Sequence, residues 1–165
     1  MAKVDYFLKI EGIPGESVDA KHKNEIHLEA WTWGQTNDGS HDSGGGGGAG
    51  RVAMEDFEFK MYVNKASPKL FLACATGDHI KEALLTCRKA GKEQQEYLKI
   101  KFSDLLVSSY QTGGSNKDGS ADVIPLETIK FNFSKIEITY CPQKADGKLD
   151  APVIHNYDLK TQTGK

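Results

Sequence analysis

The 165-residue sequence predicts a mostly β fold: a compact antiparallel β-barrel with one short flanking α-helix and a long glycine-rich extended loop. Three observations predict it. Apolar residues recur mainly with a step of two, the period of a strand with one buried face. In two long segments that alternation slips by one residue midway, as it does where a strand turns a barrel corner. Only one segment combines helical spacing with helix-type ends. The length suits one domain over residues 1–165 with a sizeable core.

"MAKVDYFLKIEG" opens the chain as an alternating strand. "EIHLEAWTW", residues 25–33, places Ile26, Leu28, Ala30 and Thr32 on one side and His27, Glu29, Trp31 and Trp33 on the other. Both sides carry large apolar groups, so two readings stand. Either the indoles face a partner, where aromatic rings are enriched, or they fill the core and Ile26 and Leu28 face solvent. An excursion from about Gly34 to Gly50 follows, with residues 35–50 expected as a flexible loop, because ordered glycine loses more backbone entropy than any other residue. In "VAMEDFEFKMYV" the phase of Val52 and Met54 gives way to that of Phe57, Phe59, Met61 and Val63, the first slip. "SPKLFLACATG" is the helix: Ser67 as N-cap, Pro68 at the first helical position, Gly77 past the end, and Leu70, Ala73 and Cys74 on the apolar face. "KEALLTCRKAG" returns to strand. "EYLKIKF" alternates Leu98, Ile100 and Phe102 inward with Tyr97, Lys99 and Lys101 outward. "TIKFNFSKIEITY" changes from the phase of Ile129, Phe131 and Phe133 to that of Ile136, Ile138 and Tyr140, which places the second slip near Ser134 and Lys135. "APVIHNYDLKT" is the last strand. Turn chemistry at "IPGES", "KAGKE", "TGGSNKDGS" and "KADGK" separates these elements.

Several function classes are excluded or disfavoured. Lys and Arg total 21 against 23 Asp and Glu, a net charge of −2 that gives no global pull toward nucleic acid or anionic membrane. Cys74, Cys87 and Cys141 have neither disulfide-scaffold numbers nor zinc-ligand spacing, which fits synthesis in a reducing cytoplasm. The N-terminus lacks an apolar run of signal-peptide length and no segment approaches a membrane span, so neither signal-dependent export nor membrane insertion is expected. Gly45, Gly47 and Gly50 formally spell G-x-G-x-x-G, but a strand follows where the dinucleotide fingerprint requires a helix. Walker A fails at Arg51 and Val52. Every register of the glycine- and aspartate-rich loops fails the calcium-loop template, and the five histidines form no metalloprotease pair. No nucleophile elbow is present, and Cys74 falls on the apolar side of its helix. Catalytic residues, metal and cofactor are therefore all expected to be none; the sequence does not read as an enzyme.

"DYFLKIEGIPGES", "AWTWG", "GGGGGAGRVAMEDF", "KASPKLFLACATGDHI", "LTCRKAG", "EYLKI" with "LVSSYQTGG", and "YCPQKADG" run in order along nearly the whole chain. Together they resemble the haemolysin-coregulated protein (Hcp) family. The resemblance implies a β-barrel protomer that forms a homohexameric ring, with rings stacking into the inner tube of the bacterial type VI secretion apparatus. Its implied partners are the valine-glycine-repeat spike protein, the contractile sheath and baseplate proteins, and small effector proteins carried in the ring lumen. It also implies passage from the bacterial cytoplasm to the extracellular space or a target cell through the apparatus. The small polar residue of the W-x-W-G block implies a lumen position for Thr32, with Ala30 and Leu28 as companions on its strand face. The extended loop implies a ring-stacking role for Gly44, Gly45, Gly46, Gly47, Gly48 and Arg51. With the chain ending at Lys165, cargo is expected to be separate and non-covalently bound.

Overall fold

A computed structural model describes residues 4–39, 51–91, 93–114 and 124–165. Among the described residues, eleven strands and one helix follow in chain order: β1 (Val4–Ile10), β2 (Ile26–Leu28), β3 (Ala30–Thr32), β4 (Gln35–Asn37), β5 (Val52–Met54), β6 (Phe57–Tyr62), α1 (Ser67–Thr76), β7 (Ile80–Lys89), β8 (Gln95–Gln111), β9 (Leu126–Tyr140), β10 (Val153–Asp158) and β11 (Thr163–Gly164). Pairing is antiparallel throughout.

Hydrogen-bonded neighbours lead from β2 to β1, β7, β8 and β9, and from β9 through β6 to β3. β3 follows β2 across Glu29 alone, whose N–H donates to the Lys60 carbonyl at 2.9 Å. β2 and β3, the two ends of this path, are thus consecutive in the chain, and the sheet wraps a core of Leu8, Ile26, Phe57, Phe59, Met61, Leu85, Phe102, Leu105, Ile129 and Phe131, all essentially inaccessible to water. Phe102 stands at its centre, 4.8 to 5.0 Å between ring centroids from Phe57, Phe131 and Phe133. The C-terminal half of β9 continues sideways into β10 and β11.

Both expected slips occur. On β8 the buried set changes from Ile100 and Phe102 to Leu105 and Val107; on β9 it changes from Ile136 to Phe133, Phe131 and Ile129. The ladder pairs Ser103↔Lys135 and Leu105↔Phe133 keep one register across the change. Two neighbouring strands therefore rotate together at Asp104 and Ser134, with Asp104 at φ 57°, a conformation Asp tolerates better than most residues. Farther along, the register itself shifts between Val107 and Ser109. The slip after Met54 is larger than a bulge, because β5 leaves the main sheet to pair with β4. Gln35, Thr36 and Asn37 are thus strand, which narrows the expected 35–50 loop at its start.

The helix forms where expected but begins differently. Its N-cap is Ala66, which has no capping side chain, and Ser67 is already helical. The Ser67 side chain is engaged elsewhere, since its hydroxyl donates to Glu127 and accepts from the Asn64 N–H at 3.1 Å. Asn64 secures the entry through its side-chain oxygen, which accepts the Ala66 N–H at 2.8 Å. Gly77 ends the helix at φ 71°, its N–H donating to the Ala73 carbonyl at 3.0 Å. Leu70 and Ala73 are buried and Cys74 is half-buried.

Candidate functional site

The candidate lumen residues lie on β3 and just before it. As far as Leu28 the chain pairs with β1, through Tyr6↔Leu28; from Ala30 it pairs with β6, through Ala30↔Lys60, Trp31↔Phe59 and Thr32↔Glu58. The exchange of partners at Glu29 rotates the strand, so the strict alternation expected from the sequence breaks there. Leu28 is consequently buried in the core and does not share a face with Ala30 and Thr32, which are exposed. Ile26 and Leu28 point inward on one side of the break and the indoles point inward on the other, so neither of the two readings left open describes the whole strand. Trp31 stacks near Phe57 at 6.1 Å and meets Tyr6 edge-on at 6.2 Å. Trp33 packs against Phe133 and donates its indole N–H to the Glu55 carbonyl at 3.0 Å.

The outward face around Ala30 and Thr32 is polar. Across the ladder stand Glu58 and Lys60, and beyond them Lys130 and Thr128 of β9. Lys130 Nζ lies 3.8 Å from Glu58 Oε1, a surface pair of small energetic value that nevertheless leaves neither sign of charge dominant. At the margin the Ser108 hydroxyl donates to Asp56. Such a face offers hydrogen bonds and weak, mixed charge.

A second polar constellation holds the 12–25 segment against the sheet. Arg88, only 2% exposed, donates to Asp19 at 2.9 and 2.7 Å and to Asp5 at 3.1 Å, with its guanidinium 4.8 Å from the Phe7 ring centroid. These bonds from Arg88 hold the Asp19 carboxyl well below the usual carboxylate range, against the opposing effect of burial, and raise Arg88 in return. His22 stacks on Phe7 at 4.3 Å, its two ring nitrogens 2.8 Å from Glu25 and 2.7 Å from Glu96. Beside this clamp lies a cleft of about 530 Å³ whose wall includes Asp5, Glu16, Asp19 and Glu29. Glu127, a buried carboxylate, accepts from Ser67 and Tyr110, tying α1 to β9 and β8; burial first, and Glu127 second, push the Tyr110 hydroxyl up to about 12. Burial likewise pushes the Cys87 thiol up to about 12, which leaves it an inert core group.

Asp19, His22 and Glu127 belong to no motif legible in the sequence, and Arg88 lies in the "LTCRKAG" block with nothing there to name its partners. The one signal for them is a lone arginine inside the otherwise buried run of β7, and its partner Asp19 lies 69 residues away. Arg51 is exposed just before β5, whereas Gly44, Gly45, Gly46, Gly47 and Gly48 lie outside the described residues. Among the described residues no three His, Cys, Asp or Glu side chains are grouped to hold a metal, and no helix is long and apolar enough to cross a membrane.

Residues 7–140 match the family model described as type VI secretion system effector, Hcp. The chain belongs to the Hcp family. Protein hcp1 of Pseudomonas aeruginosa is 45% identical over 159 residues, spanning 95% of this chain and 96% of that one. The crystal structure of Hcp1 from Salmonella typhimurium has a TM-score of 0.78 at 36% identity, covering 100% of each chain. A type VI secretion system effector from Yersinia pestis gives a TM-score of 0.73 at 36% identity, covering 93% of this chain and 99% of that one. The Hcp family is that of the secreted tube proteins of type VI secretion, a structural and non-enzymatic class. Its mostly β antiparallel sheet with one short helix is the fold described above.

Proposed function

We propose that this Hcp protein is the subunit of a homohexameric ring whose stacked copies form the inner tube of a type VI apparatus, and that the ring lumen carries small effector proteins. The polar, ion-paired face of β3, β6 and β9 supports this reading most directly. A lumen wall must be wetted and must release what it holds, and mixed surface charge with small side chains at Ala30 and Thr32 meets both needs. Leu28 is left out of the lumen set because it is buried. The subunit is made in the bacterial cytoplasm and leaves through the apparatus behind the valine-glycine-repeat spike, driven by the sheath from its baseplate. The β4–β5 ribbon with Arg51 marks the ring face that meets the next ring.

Electron microscopy of the concentrated protein tests the ring: six-fold closed particles with an open centre are expected, and a strictly monomeric particle overturns the reading. Thr32→Arg tests the lumen. The new side chain faces Glu58 across the ladder, so folding and rings should persist, while a small effector that co-purifies with wild type should be retained at least several-fold less. Unchanged retention removes Thr32 from the lumen wall; lost rings place it at a subunit contact.

A further inference from the structure

α1 is apolar on two sides. Leu70, Ala73 and Cys74 face the sheet, yet Pro68, Phe71, Leu72 and Ala75, at the i, i+3, i+4, i+7 spacing of a second stripe, are exposed. Phe71 and Leu72 are 57% and 56% exposed, and Lys69 is the helix's one charged residue. A helix that is apolar nearly all round is built to be covered on both sides. The protomer covers one.

The complementary surface lies on β8, β9 and β10. In register, Phe102↔Ile136, Ile136↔Tyr157 and Ile100↔Ile138 belong to the core side; His155, opposite Ile138, shares that face and is exposed. The next layer on the same face, Leu98↔Tyr140 and Tyr140↔Val153, runs past the core: Tyr140 and Val153 are 48% and 52% exposed. The core side of the sheet therefore continues into an uncovered apolar shelf.

The two surfaces sit at opposite ends of one strand. α1 packs on the far half of β8, where Phe71 meets Tyr110 edge-on at 6.2 Å, while the shelf begins at Leu98. These points are up to about 40 Å apart along an extended strand, so one protomer cannot cover its own shelf with its own helix. Two different patches at opposite ends suit a heterologous, ring-closing contact, in which each subunit offers its helix to one neighbour and its shelf to the other. We propose that the outer stripe of α1, centred on Phe71 and Leu72, seats on the Leu98–Tyr140–Val153 shelf of a second copy of this chain. The inference rests on the ring reading and assigns its subunit contact.

The test uses Phe71→Asp and Val153→Asp, followed by sedimentation and electron microscopy at the concentration where wild type forms rings. Each variant alone should sediment as a monomer. Each retains the half that the other lacks, so an equimolar mixture should regain one intact contact per pair and shift to twice the monomer mass, which also shows that both variants fold. Ile154→Asp, on the opposite face of β10, should keep its rings. Rings persisting in both single variants, or no dimer in the mixture, overturn this contact while leaving the ring reading intact, as does loss of rings in Ile154→Asp. A monomeric wild type overturns both.

Discussion

Arg88 places a full positive charge in the wall of the core, and two carboxylates from other parts of the chain make that tolerable. A buried charge that loses a partner costs far more than the net value of the pair it leaves. Asp19→Asn should therefore destabilise the fold by about 2 kcal/mol at neutral pH, Asp5 still answering part of the charge. The pH dependence has a definite sign. Arg88 holds the folded-state Asp19 carboxyl below its unfolded value, so between the two values the unfolded chain binds the extra proton. The stabilisation is complete above about pH 4, the ordinary aspartate range, and is lost as pH falls toward the folded-state value. Urea midpoints for wild type and Asp19→Asn should differ clearly at pH 7, and the gap should begin to narrow on going to pH 3. A gap that stays constant across this range would assign the effect to packing and not to charge.

Alternation along the chain is enough to read β1, β6 and β7 and both slips of phase, because each follows from a strand's own two faces. What it cannot give is any event decided by a second strand. At Glu29 the neighbour changes from β1 to β6, and nothing within "HLEAW" records that two different partners wait on either side. Ser67 shows the same limit for capping: its preference for an N-cap is local, but a buried carboxylate 60 residues away claims the hydroxyl. Gly77 is legible because its role is local. At φ 71° an added Cβ would meet Leu106 only at ordinary contact distance, 3.9 Å, so the cost of Gly77→Ala is conformational. About 1 kcal/mol is expected, measurable as a lower melting temperature with an unchanged fold. The candidate site divides in the same way: Thr32 and Ala30 are exposed on their own strand, while the burial of Leu28 and the Arg88 clamp depend on distant partners.

At the scale of the molecule, the main sheet depends on pairs that are far apart in the chain: Val4 lies opposite Lys89, and Phe57 opposite Phe131. Ladders of this kind must surrender loop entropy before they gain contacts, which places folding in the slow, milliseconds-to-seconds range of β-rich topologies. α1 belongs to the fast part of the chain, since helices form in about a microsecond or less. A helix of 10 residues is marginal alone, yet a newly made chain samples its Phe71 and Leu72 stripe long before the sheet that backs it is complete. Crowded synthesis exposes that stripe to the unfinished shelves of other chains, so haste in assembly and error in assembly share one surface. Refolding yield should fall as protein concentration rises, and Leu72→Gln should flatten that dependence. An equal slope for both proteins would show that the premature encounters occur elsewhere. The double-sided helix thus sets a clock as well as a contact: the interval between its appearance and the closing of the sheet is the time in which a subunit is vulnerable to its own kind.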